Sequence, residues 1–219
     1  MNRRTLGRLA AAVIATGFLA GWVPMAQAAD EAPDAFIQRL SEDVLNTIKT
    51  DSKLKSGDID YIMSVVDAKI MPNVDFRRMT AAAVGPAWRQ ATPEQRQRLQ
   101  DEFKLLLVRT YAGALSQVKD ETISMKPLRA APGDTDVVVR SEIRGRGDPI
   151  QLEYRLEKSP TGWKIYNLNV LGVWLVETYR TQFAQEVNAK GIDGLIAALA
   201  ERNKANVQGG STGATARKG

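Results

Sequence analysis

The side chains of this 219-residue chain that could act as acid, base or nucleophile are few, and their spacing does not suit catalysis. There is no histidine and no cysteine. That removes the commonest zinc ligands, the thiol nucleophile and the usual base of a serine triad. Paired carboxylates remain, and Asp58 with Asp60 or Glu153 with Glu157 can be offered as acid and base. The first pair falls at a helix start and the second on the polar face of a strand. Solvated surface charge is therefore the better reading, because a catalytic pair needs burial or a neighbour to separate its pKa values. Ser116 and Ser159 lack a nearby base and a Gly-x-Ser-x-Gly context. No Gly-x-x-x-x-Gly-Lys-Ser/Thr loop is present to hold ATP. The residues supply no catalytic constellation, metal set or cofactor site, and the chain is expected not to be an enzyme.

The unusual feature is apolar. From Trp163 to Tyr179 the chain carries more apolar side chains than one buried face requires. Read as a strand, Trp163 and Ile165 point one way and Tyr166, Leu168 and Val170 the other. Read as a helix start, Val173, Trp174, Leu175 and Val176 span more than a stripe of about 100°. The pattern alone favours a helix buried on all sides; the other reading is the wall of a cavity.

The elements around this stretch follow from hydrophobic period. Phe36, Leu40, Val44, Leu45 and Ile48 recur at helical spacing over Asp34 to Lys49. A second helix begins near Ser56 to Asp58, carries Ile59, Ile62, Met63, Val66 and Ile70, and ends at Pro72. A short helix from Asp75 to Val84, with Phe76 and Met79 inward, stops at Gly85-Pro86. Thr92-Pro93-Glu94-Gln95 has the form of a capping box with proline at the first helical position, so a long helix starts there. Its inner stripe is Leu99, Phe103, Leu106, Leu107, Tyr111, Ala114, Leu115 and Val118. The period then falls from about four residues to two. Strands are expected at Glu121 to Arg129, Asp136 to Arg144, Pro149 to Lys158 and Gly162 to Val170. Gly145-Arg146-Gly147-Asp148 and Ser159-Pro160-Thr161-Gly162 are the hairpin turns. Helices from Val173 to Val187 and from Ile192 to Asn203 close the domain. The fold class is α+β, with helices packed on a curved antiparallel sheet of about four strands.

The two ends read differently. Arg3, Arg4 and Arg8 lead into an apolar run from Leu9 to Val23 that ends at Ala26-Gln27-Ala28, the order of a secretory signal peptide over residues 1–28. Arg3-Arg4-Thr5-Leu6 also resembles the start of a twin-arginine signal. The domain then covers 29–204, and residues 205–219, rich in Gly, Ser, Thr and Ala, are expected to be a disordered tail. Cleavage after Ala28 removes three of the 30 basic residues and none of the 25 acidic ones, leaving +2. Such a balance leaves no footprint for nucleic acid. Without disulfides, the mature domain is held by burial alone, which about 175 residues can supply.

Several segments in order resemble the MlaC family of periplasmic phospholipid-binding proteins. They are Val66-Asp67 through Met71-Pro72 with Asp75-Phe76, Gly85-Pro86-Ala87-Trp88 through Thr92-Pro93-Glu94-Gln95, and Tyr111. Gly162-Trp163-Lys164-Ile165-Tyr166-Asn167, Gly172-Val173, Tyr179 to Phe183 and Lys190 to Ile196 complete the set. Asn167 stands where the family usually has Asp, and Trp174 where it commonly has Ser.

The resemblance implies a lipid carrier in the periplasm, part of the system that maintains outer-membrane lipid asymmetry. It implies exchange with an outer-membrane lipoprotein and porin complex and with an inner-membrane ABC-type lipid transport complex. On that reading the excess apolar surface has a purpose. Exposing two chains of about 16 carbons to water costs on the order of 25 kcal/mol, so a carrier must cover nearly all of that surface. The headgroup can stay in water. The residues expected to line the lipid are Phe76, Met79, Trp88, Tyr111, Val139, Tyr166, Leu168, Val170, Val173, Trp174 and Tyr179. A branch of the family is associated with hopanoids, which makes a polycyclic lipid the alternative cargo.

Overall fold

The structure, a computed structural model, describes residues 31–131 and 133–209. The expected signal peptide and residues 210–219 of the expected tail lie outside the described residues.

Helix α1 (Pro33–Thr50) buries Phe36, Ile37, Leu40, Leu45 and Ile48 along one side. A short helix α2 (Ser52–Lys55) follows, which the period analysis passes over because it has only one buried apolar residue, Leu54. Helix α3 (Ile59–Val65) starts at Asp58, whose carboxylate accepts the Tyr61 N–H at 3.1 Å. The expected single helix up to Pro72 is not regular. Residues Val66–Ile70 wind as a π-helix and Met71–Asn73 as a 3₁₀ turn. A proline has no N–H and its ring crowds the carbonyl four residues back, so the ladder widens before it. Helix α4 (Phe76–Val84) is capped by Asp75 and followed by a 3₁₀ turn at Gly85–Arg89. Helix α5 (Pro93–Leu115) opens with the full capping box: Thr92 Oγ1 accepts from Gln95 N at 3.2 Å and Gln95 Oε1 accepts from Thr92 N at 3.0 Å.

Among the described residues the four expected strands and a short fifth form one open antiparallel sheet in sequence order: β1 (Thr122–Met125), β2 (Asp136–Arg144), β3 (Ile150–Ser159), β4 (Gly162–Val170) and β5 (Val173–Trp174). The first is shorter than expected. Lys126 N still bonds Arg140 O, but Pro127 has no N–H to continue the ladder. The fifth replaces the expected start of a helix at Val173. Leu171 and Gly172 have φ of 52° and 86°, so the chain makes a two-residue turn with both residues left-handed and folds back on β4. Such turns match the twist of a hairpin. The last helix, α6 (Leu175–Gly209), therefore begins two residues late. It breaks at Gly191, where φ is 69°, and continues to Gly209, past the point where the tail was expected to begin.

Among the described residues the buried apolar side chains fall into three clusters. One cluster joins α4, α5 and α6, with Phe103 against Phe76, Tyr179 and Phe183 at centroid distances of 5.6, 4.9 and 5.2 Å. A second lies between α1 and strands β2 to β4, and a third gathers α1, α2, α3 and α5. Only partly buried side chains link them: Leu168 and Val74 touch the first two, and Val44 the last two. Helix α5 packs chiefly on α3, α4 and α6, while the strands are packed by α1, α4 and α6. The boundary between the cluster on the sheet and the clusters on α5 is a seam, crossed by Leu168, Val74 and Val44.

Candidate lipid-binding site

The inner face of the sheet follows from the register. Val137, Val139 and Ser141 pair with Leu156, Tyr154 and Leu152, and these with Ile165, Leu168 and Val170. Between Ile165 and Asn167 the register shifts by one residue. A bulge of this kind leaves one residue unpaired and moves the following side chains to the opposite face. Trp163, Ile165, Leu168 and Val170 consequently share the inner face, which corrects the expectation that Leu168 and Val170 oppose Trp163 and Ile165. Simple alternation could not reveal this, because a bulge is invisible to a period of two.

Tyr166 is the displaced residue. Its hydroxyl donates to Asp136, with both carboxylate oxygens at 2.8 Å, and the Arg78 guanidinium lies 3.6 Å from its ring centre. Arg78 also pairs with Glu157. Burial, then the neighbouring Asp136 carboxylate, pushes the Tyr166 phenol above its ordinary value. Trp174 pairs with Asn169 on that same outer face, under the Arg155 guanidinium at 4.1 Å. Tyr166 and Trp174 are thus held by charged partners on the side away from Val170 and Val173.

The other expected lining residues divide into four groups. Phe76, Met79, Trp88 and Tyr179 are buried in the α4–α5–α6 cluster. Val139 is fully buried between α1 and the sheet. Leu168 and Val170 are half-buried on the inner face. Tyr111 and Val173 are 41% and 50% exposed, and with Tyr179 they line one cavity of about 350 Å³. Its apolar floor is Leu106, Val173 and Leu175. Thr110, Thr178, Gln182, Arg202 and Ala205 complete the lining, none of them marked by the helical period. Val173 pairs with Val170, so the cavity wall continues onto the inner sheet face. Burial, with Tyr179 close by, pushes the Tyr111 phenol up.

A larger depression of about 530 Å³ lies between Lys119–Thr122 and Arg144–Gly147, but no apolar side chain lines it and it offers nothing to an acyl chain. Most of the residues that could have served in catalysis have other partners. Asp58 caps α3, Glu153 pairs with Arg140, Glu157 pairs with Arg78, and the Ser159 hydroxyl bonds Gly162 O. Among the described residues no cluster of acidic groups could hold a metal ion.

Comparison with known proteins identifies the family. Residues 38–201 match the family model described as MlaC protein. The chain is similar to the toluene tolerance protein ttg2D of Pseudomonas putida, 26% identical over 171 residues, covering 78% of this chain and 80% of that one. It is 23% identical over 172 residues to the intermembrane phospholipid transport system binding protein MlaC of Haemophilus influenzae, with 77% and 80% covered. A solved phospholipid-binding protein from Ralstonia solanacearum, in complex with a phospholipid, superposes with a TM-score of 0.78 at 49% identity over 82% of this chain and 99% of that one. This chain belongs to the MlaC protein family.

Proposed function

We propose that this chain is a periplasmic carrier that takes up phospholipid by its acyl chains and moves it through water between an outer-membrane lipoprotein and porin complex and an inner-membrane ABC-type transport complex. The observation that carries this reading is the division of the core. The cluster on the sheet and the clusters on α5 stand on either side of a seam bridged by half-buried Leu168, Val74 and Val44, with a cavity open at one end. A domain built only for stability gains by closing such a seam, since each buried methylene contributes about 0.8 kcal/mol. The cavity is at the small end of ordinary ligand pockets, which run from about 300 to 1,000 Å³. It therefore serves as the mouth, and the tails enter by parting the clusters along the seam. The lining set that fits this geometry is Tyr111, Leu168, Val170, Val173 and Tyr179, without Tyr166 and Trp174. Separate clusters linked by few side chains move apart at less cost than one continuous core.

The similarity to a phospholipid-bound structure at 49% identity supports the choice of ligand. Native mass spectrometry of protein purified without detergent tests it. A mass increment matching a diacyl phospholipid is expected. An increment matching a polycyclic hopanoid replaces the cargo, and protein that neither retains nor takes up lipid refutes the carrier.

A further inference from the structure

We infer that the cavity at the end of the seam is a phosphate-recognition site for the lipid headgroup, with Arg202 as its cation. The inference rests on the carrier reading and goes beyond it, since burying acyl chains requires no headgroup contact.

Arg202 is the one charged residue among the described residues lining the cavity. Its hydrogen bond is to a neutral acceptor, Gln182 Oε1, at 3.0 Å, and among the described residues no carboxylate pairs with it. Other cations, Arg39, Lys69, Arg78, Lys104, Lys126, Arg140, Arg144, Arg155 and Lys204 among them, are neutralised by a carboxylate partner. The Thr110 and Thr178 hydroxyls donate to Leu106 O and Trp174 O, each four residues back along the chain. The Tyr111 hydroxyl has no hydrogen-bond partner among the described residues. Arg202, Tyr111 and the Gln182 amide are then the donors facing the cavity, above the floor made by Val173 and Leu175. A second cation stands close to this end. Arg109 donates to Asn203 O, one residue along from Arg202, and its buried Nε has no partner.

A guanidinium without a carboxylate, beside two neutral donors and an apolar floor, is complementary to a phosphate joined to hydrocarbon. The apolar wall continues from Val173 to Val170 along the sheet. A phosphodiester at Arg202 would therefore leave the glycerol and its chains directed into the seam. The same chemistry would also suit free inorganic phosphate, and the experiment separates the two.

Delipidated protein is incubated with vesicles containing 1-palmitoyl-2-oleoyl phosphatidylglycerol or the matching diacylglycerol, which has the same chains without phosphate, and bound lipid is quantified by extraction and mass spectrometry. The wild type is expected to prefer phosphatidylglycerol by about tenfold, the effect of one charge-assisted contact. Arg202→Gln is expected to lose most of that preference and Arg202→Lys to keep most of it, with circular dichroism confirming the fold of each. Millimolar inorganic phosphate is expected to leave the preference intact. Equal uptake of the two lipids by the wild type, or an unchanged preference in Arg202→Gln, overturns the headgroup site and leaves the carrier standing. Uptake of neither lipid overturns both. Loss of the preference on adding inorganic phosphate assigns the site to the free ion and overturns the lipid assignment.

Discussion

Asn167, on β4, binds the start of α6 with both halves of its amide: Nδ2 donates to Glu177 Oε2 at 2.8 Å and Oδ1 accepts from Val176 N at 3.2 Å. The residue is almost fully buried. Burial pushes the Glu177 carboxyl up, but the bonds from Asn167 and Arg155 outweigh it and hold the carboxyl below its ordinary value. An aspartate, which the family resemblance would place at 167, could still accept from the helix N–H but could not donate to Glu177. The amide at 167 and the carboxylate at 177 form a matched pair.

Asn167→Asp is accordingly expected to lower stability by about 2 kcal/mol, through loss of a hydrogen bond to a charged group and the meeting of two carboxylates. The loss should shrink as pH falls into the carboxylate range and one of the two protonates. Combining it with Glu177→Gln, which supplies a new donor, should recover part of the loss. Urea unfolding of the single and double variants checks this; a single variant as stable as the wild type contradicts the pairing.

The outer-face placement of Tyr166 and Trp174 gives a second expectation. Tyr166→Phe removes the bond to Asp136 and Trp174→Ala removes the ring beneath Arg155, and a cation–π contact of this kind contributes about 0.5 to 2 kcal/mol. Both should melt at lower temperature than the wild type. Both should retain a full complement of extracted lipid, because neither ring lies on the inner face. Depletion of lipid in either variant returns that residue to the lining.

Much of the fold was legible in the sequence, for local physical reasons. Thr92 and Gln95 announce α5, Asp136–Arg144 and Gly162–Val170 begin and end where the period of two does, and Gly191 marks the break in the last helix. What the sequence hid was non-local or irregular. The bulge at Tyr166 leaves every residue type unchanged while reversing which side each faces. The Leu171-Gly172 turn was obscured because a leucine, 63% exposed, holds a left-handed position that usually goes to Asn or Gly. Arg202 and Gln182 gave no signal in the sequence, since only the folded chain brings them together across 20 residues.

Glu142 predicts a pH effect. Lys126, then Gln151 and Arg144, bond its carboxylate and draw its pKa from 4.5 down to about 2, tying the end of β1 to β2 and β3. A carboxyl depressed in the folded state stabilises it at pH values above its unfolded pKa, and the contribution is lost as pH falls from about 4.5 through about 2. Thermal melting between pH 7 and 2 should show that decline. Glu142→Gln should melt lower at pH 7 and show a shallower decline below pH 4.5. An identical pH profile for wild type and variant rules out this carboxylate as a contributor.

The contrast between core and mouth gives the sharpest expectation. Phe103 is fully buried and packed by three aromatic rings, so Phe103→Ala loses both transfer energy and contacts and should cost about 3 to 5 kcal/mol. Val173 is half-exposed at the cavity, opposite Val170. A carboxylate there keeps access to water in the empty protein, so Val173→Asp should cost less than about 1 kcal/mol, in keeping with a surface change. With lipid bound, the same carboxylate lies against hydrocarbon, where an unpaired charge is strongly disfavoured. The variant should fold, by circular dichroism and melting, and yield little or no co-purifying lipid on extraction. Retention of full lipid by folded Val173→Asp would place the mouth elsewhere, and unfolding as severe as that of Phe103→Ala would make Val173 part of the structural core.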